Sequence, residues 1–120
     1  ESVARGSRAG CTVCISKNYP VTVNDPDLTA AMLPTLQRVA GEHAVELVPK
    51  VTGSEDFSFY QRLVPGLFYF VGVTPAGVDP AQAAPNHSPR FSVDEASLLL
   101  GLRSLTHLAC DWLQAHAPQA

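Results

Sequence analysis

Apolar residues run almost without interruption from Leu67 to Val73, "LFYFVGV", between a Pro-Gly pair and a proline-rich loop. That pattern predicts a strand buried on both faces, as in a parallel sheet with helices on either side. A second strand is predicted in "CTVCISKNYPVTV", where β-branched residues alternate with polar ones, and a short third one in "AVELV". Helical periodicity takes over between these runs. Asp25 followed by Pro26 is a helix start, and Leu28, Met32, Leu36 and Val39 then recur at helical spacing up to Gly41. Pro34 lies inside that helix and predicts a kink or an early break. Gly53 and Ser54 are expected to turn the chain into another helix, with Glu55 and Asp56 in its first turn, ended by Val64-Pro65-Gly66. The last helix is announced by Ser92 and Glu95 as a capping box and places Leu98, Leu102, Leu105, Ala109 and Trp112 on one packing face. Residues 1 to 8 read as the tail of a helix ending near Gly10. The alternation of strands and helices gives an α/β fold class.

Composition changes this picture little. The 120 residues suffice for one small domain, and 46% hydrophobic residues is ordinary for a globular chain. Eight basic and eleven acidic residues are scattered, for a net charge of -3, so no basic stripe offers itself to nucleic acid or to an anionic membrane. No apolar run reaches the length of a membrane span. The opening "ESVARGSRAG" has neither an initiator Met nor a signal peptide, and it reads as the start of a piece of something longer. Three cysteines argue against a disulfide framework and favour a reducing compartment. Cys11 and Cys14 have C-x-x-C spacing, but three apart on a strand they would face opposite sides and could not share a metal.

Candidate chemistry concentrates in the loop from Thr74 to Arg90, which holds four of the ten prolines and leaves the far end of the predicted buried strand. In open α/β sheets, ligands bind beyond the carboxyl ends of the strands. Of the four histidines, His43 sits near a helix end, His107 lies within the last helix and His116 falls in a tail expected to fray. His87 differs, because Pro85 and Pro89 frame it in a loop, which suits an imidazole presenting one nitrogen to a metal or substrate. One histidine cannot hold zinc alone, since a catalytic site needs about three protein ligands. Glu55 and Asp56 invite a paired-carboxylate reading, but neighbours at a helix start point apart and helix capping explains them as well.

"GSEDFSFY", "VPGLFYFVG" and "NHSPRFSVDEASLLLG", in that order, resemble the C-terminal portion of the metal-dependent amidohydrolases. That family includes hippurate hydrolases, N-acyl amino acid aminoacylases and plant auxin-conjugate hydrolases. Its relatives are carboxypeptidase G and the acetylornithine deacetylase and succinyl-diaminopimelate desuccinylase enzymes. The resemblance covers essentially the whole chain, and "YPVTVNDPDL" shares it. It implies a partial zinc-peptidase-like catalytic domain with a mainly parallel sheet, residues 21–120, preceded by the end of an α+β lid domain used for dimerisation, residues 1–20.

The resemblance further implies that His87 is a ligand of a dinuclear site for zinc, manganese, cobalt or nickel. Gly53, Ser54 and Glu55 would border the substrate pocket or orient the ligands. The family's other metal motifs and its glutamate base have no counterpart in these residues, so no catalytic residue is expected here and the chain alone should be inactive. The implied reaction is metal-dependent hydrolysis of the amide bond of N-acyl or N-aroyl amino acids. The implied state is a homodimer or higher oligomer, cytoplasmic unless a signal peptide lies upstream. A dipeptidase or carboxypeptidase of the same family, or a non-catalytic binding module, are the alternatives.

Overall fold

The computed structural model describes residues 1–118. Among the described residues four helices are formed, α1 (Ser2–Gly6), α2 (Pro26–Ala40), α3 (Phe57–Gln61) and α4 (Ala96–Ala115), with a 3-10 turn at Glu42–Ala44. α2 starts where its sequence says it should. The Asp25 carboxylate accepts from the Leu28 N–H at 2.8 Å, and Pro26 stands at the first position, where a missing N–H costs nothing. Pro34 does not break α2, which is continuous to Ala40. The carbonyl it leaves without an intrahelical partner belongs to Ala30, and both residues are exposed. Gly41 ends the helix at φ 101°, a conformation that side-chain-bearing residues rarely adopt.

The expected parallel sheet is not formed among the described residues: 11–23, 44–48 and 67–73 carry no ladder. A strand exists only through a partner strand, and no other backbone lies against these runs in register. Side-chain amides do part of the work instead. The Asn24 carboxamide donates to the Phe68 carbonyl and accepts from the Phe68 N–H, both at 2.7 Å, so one side chain serves both polar groups of that residue. Beside it the Asp25 N–H donates to the Gly66 carbonyl at 3.0 Å, and Gln61 accepts from the Val23 N–H at 3.1 Å. Gly66 is required here, because a Cβ would stand 2.7 Å from Gln61 and 3.1 Å from the Phe57 ring.

The run 67–73 is flanked on two sides. Tyr69 and Val71 face α4: the Tyr69 hydroxyl and Ser104 Oγ are 2.9 Å apart, and Val71 lies against Gly101. Phe68 faces the other way, 5.7 Å from Phe57 and 5.3 Å from Phe70 between ring centroids. The start of α4 is tied to the end of the run by the Asp94 N–H, which donates to the Val73 carbonyl at 2.8 Å. Asp94 therefore replaces the predicted Ser92–Glu95 box as the turn-forming residue. Its carboxylate accepts from the Ala96 N–H at 3.0 Å, and its carbonyl accepts from the Ser97 hydroxyl.

α2 and α4 pack on each other through a polar contact. Asp111 accepts from the Thr35 hydroxyl and pairs with the Arg38 guanidinium, whose other nitrogen is 3.4 Å from His107 Nδ1. The side of α4 that is covered carries Ser97, Gly101, Ser104 and Leu108. The face expected to pack, Leu98, Leu102 and Leu105, is instead 61%, 63% and 62% exposed. The small residues decide this, since Gly101 and Ser104 let the run 67–73 approach the helix where leucines would hold it off. Buried apolar side chains among the described residues reduce to Met32 and Leu36. The radius of gyration is 20.3 Å, against about 14 Å for a compact domain of this length.

Two expectations follow. The 120-residue chain should bind anilinonaphthalene sulfonate strongly and melt over a broad range, because so much apolar surface meets water. A sharp cooperative transition without dye binding would contradict this. The contact between α2 and α4 should also weaken in acid. The Thr35 hydroxyl first, and the Arg38 guanidinium after it, hold the Asp111 carboxyl below its ordinary range, with partial desolvation opposing them. A carboxyl lowered by folding leaves the unfolded chain holding more protons, so stability falls as pH drops. The contribution is complete above about pH 4, the ordinary aspartate range, and is lost as pH falls through the lower folded value. Melting curves of the wild type and Asp111→Asn should converge at low pH; a gap that survives there would remove Asp111 from this role.

Candidate functional site

The loop after Val73 is a succession of tight turns. Val78 N–H donates to the Pro75 carbonyl at 3.1 Å across Gly77, whose φ is 81°. Asp79 closes the next turn, its carboxylate accepting from the Ala81 N–H at 3.0 Å and from the Gln82 amide at 3.4 Å. The third turn spans Pro85 to Ser88, closed by the Ser88 N–H to the Pro85 carbonyl at 3.1 Å. His87 holds its third position with φ 69°. A positive φ at that position is the mark of a type II turn and is usually supplied by Gly or Asn. Immediately beyond, Ser88 accepts twice, from the Phe91 N–H at its carbonyl (3.0 Å) and from the Arg90 N–H at its hydroxyl (3.2 Å).

Residues of these turns, Pro75, Val78, Gln82 and Pro85 together with Ser88, Arg90 and Ser92, line an open cavity of about 460 Å³. His87 is exposed and sits between two of the lining residues, Pro85 and Ser88. Gly53, Ser54 and Glu55 are exposed as well, but they line neither this cavity nor the apolar groove among α2, α3 and α4. They also do not begin a helix. α3 starts two residues after Glu55, whose carbonyl accepts from both the N–H (3.1 Å) and the hydroxyl (2.6 Å) of Ser58, a side chain with no exposed surface. Asp56 next to it stands beside Tyr19 and holds the phenol above its ordinary pKa by hydrogen bonding and by charge.

Residues 9–111 match the family described as Peptidase family M20/M25/M40. The chain belongs to that family. It is similar to an IAA-amino acid hydrolase, ILR1-like 4, of Arabidopsis thaliana, with 41% identity over 96 residues, 79% of this chain and 21% of that protein. A thermostable carboxypeptidase 2 of Saccharolobus solfataricus is 39% identical over 83 residues, 69% of this chain and 20% of that one. A putative amidohydrolase, YhaA, of Bacillus subtilis is 29% identical over 99 residues, 82% of this chain and 24% of that one. The chain thus spans about a fifth of the length of the curated relatives it matches. No solved structure matches it.

Members of the M20 family are generally metal-dependent. Among the described residues no three His, Cys, Asp or Glu side chains converge as a metal-binding group. His87 offers one imidazole, so these residues do not make up a metal pair's ligand set by themselves. Two of the other histidines make contacts elsewhere, and His43 is exposed in the turn after α2. His107 faces Arg38, and His116, in a segment expected to fray, stacks on Trp112 at 4.3 Å and directs Nδ1 to the Trp112 carbonyl at 2.8 Å. Cys11, Cys14 and Cys110 are free and exposed. Also among the described residues, no helix is long and apolar enough to cross a membrane. Sequence reasoning missed the cavity and Arg90 in its lining, although the proline spacing marked the loop that builds them.

The left-handed turn at His87 has a measurable signature. His87→Gly should keep the stability within about 1 kcal/mol, since glycine accepts this φ. His87→Val should lose about 1–3 kcal/mol, because a β-branched residue is strained there. Urea unfolding of the three proteins would show it; equal midpoints would mean that the turn does not hold this conformation.

Proposed function

We propose that this chain is part of an M20 hydrolase that cleaves the amide bond of N-acyl or N-aroyl amino acids, with His87 as one ligand of its divalent metal pair. The observation that carries the reading is the turn Pro85–Ser88, which presents an exposed imidazole in a left-handed conformation beside a cavity. Non-glycine residues at positive φ cost energy and persist where the surroundings enforce them, often at functional sites. Metal in such enzymes lowers the pKa of a bound water and polarises the scissile carbonyl. The residues of this chain would contribute His87 to that site, and Gly53, Ser54 and Glu55 would border the pocket once the whole protein brings them near it.

On the same reading, residues 21–120 are part of the catalytic domain, where the unpaired runs such as 67–73 join a mainly parallel sheet. Residues 1–20 end a lid domain through which two cytoplasmic copies pair. The names of the relatives, an IAA-amino acid hydrolase and a carboxypeptidase, support hydrolysis at an amino acid's amide bond. That second name supports a closely related reading, cleavage of a peptide rather than an acyl amide.

In the whole protein, His87→Ala should lose bound metal and at least a hundredfold in hydrolysis of hippurate, the scale reported for altered metal surroundings (about 10–100-fold for outer partners alone). His107→Ala should keep its metal and cost only modest stability, since its contact is with Arg38 on the surface. Elemental analysis and a hippurate assay on both variants decide the matter. Full metal content and normal turnover in His87→Ala would end the ligand assignment, and turnover on dipeptides with none on hippurate would favour the peptidase.

A further inference from the structure

The longest helix, α4, carries an apolar stripe that nothing among the described residues covers. At about 100° per residue, Leu98, Leu102, Leu105, Ala109 and Leu113 fall within about 80° of one another around the helix, and all five are exposed. The stripe is separate from the side that meets the run 67–73 and α2, which carries Gly101, Ser104 and Asp111. It is also separate from Arg103 and Gln114, where the helix surface is polar. A solvated helix face has no need of four leucines.

The spacing fits a helical partner. Steps of three and four residues keep the stripe parallel to the axis over about 22 Å, the pattern by which one helix packs lengthwise on another. The neighbouring run points the same way. α4 returns antiparallel to 67–73, since Gly101 meets Val71 and Ser104 meets Tyr69. A parallel strand added to that run would bring a crossover helix onto the same face, beside α4. Size then separates the possible occupants. The stripe presents a few hundred Å², against about 800 Å² that each partner buries in a stable complex. Two copies joined through it alone would bury too little, whereas a segment of the same polypeptide is held close by its tether and needs less. A chain that spans about a fifth of its relatives' length leaves ample sequence for such a segment.

We propose that Leu98, Leu102, Leu105, Ala109 and Leu113 are the docking face for a helix of the same polypeptide from outside these 120 residues, laid along α4 with its own apolar side against the leucines. This rests on the reading of the chain as part of a longer hydrolase and adds to it a contact that joins the two parts. The covered side of α4 then holds the run 67–73 and α2, and the leucine side holds the remainder of the protein.

The test uses the whole protein. With Leu102 replaced by the photo-reactive residue p-benzoylphenylalanine, irradiation should link α4 to a peptide from outside residues 1–120 of the same polypeptide, identified by peptide mass with no doubling of the chain's mass. The same residue in place of Arg103 should give no such link. Leu102→Asp and Leu105→Asp should each lower the melting temperature by about 5 °C or more, and Arg103→Asp by about 1 °C or less. Where an aspartate variant does not fold, Leu102→Ala replaces it and should still melt below the wild type. A link to α4 of a second copy overturns the proposal, as do a folded variant that gives no link from position 102 and a Leu102→Ala protein that melts with the wild type. If the link forms as expected but the metal-loaded protein cleaves neither hippurate nor dipeptides, the docking face stands and the hydrolase reading falls. If hippurate is hydrolysed while position 102 gives no link, the hydrolase reading stands and the docking face falls.

Discussion

Backbone N–H and C=O groups need partners, and the half-buried to exposed run from Leu67 to Val73 has no neighbouring strand to supply them. Its two ends are satisfied by other means. At one end the Asn24 side chain supplies a donor and an acceptor to Phe68, and the Asp25 N–H binds Gly66. At the other end the Asp94 N–H binds Val73. These bonds position both long helices, since Asp25 caps α2 and Asp94 opens α4. Between the ends, Tyr69 reaches Ser104 and Val71 meets Gly101, which lays α4 along the run. The polar contact of Asp111 with Thr35 and Arg38 then joins α4 to α2.

The loop that carries the candidate site begins and ends on this same framework. It leaves the run at Val73 and returns to it at Asp94, so the bond between these two residues closes it at its base. Within it, three turns in succession are fixed by short-range bonds and by prolines that preset the backbone. The backbone at His87 and Arg90 is therefore set by short-range bonds within the loop. By contrast, Gly53, Ser54 and Glu55 belong to an exposed segment with no comparable anchor until Ser58 is reached.

Several features were legible one segment at a time. Asp25 and Pro26 at the start of α2, Gly41 at its end, and the irregular proline-rich loop around His87 all follow from bonds within a few residues, where sequence spacing and spatial distance agree. The periodicity of α4 was legible as a helix, but its packing side was not. Leu98, Leu102 and Leu105 make the stronger apolar stripe, yet the side carrying Gly101 and Ser104 is the one in contact. Hydrophobic periodicity weighs side-chain size, whereas close approach of a backbone favours the residues with least of it.

By itself the sequence determined the family, because residues 9–111 carry its pattern, and it determined the helices and turns, whose hydrogen bonds close over three or four residues. It also marked His87 by its two flanking prolines. The tertiary structure decided what needs partners from far along the chain: that the apolar run 67–73 is left without a ladder, that Asp94 rather than Ser92 begins α4, and that Arg90 lines a cavity. A strand, a cap tied to a distant carbonyl and a cavity wall each depend on groups brought together across loops. Local spacing holds no information about which groups those will be.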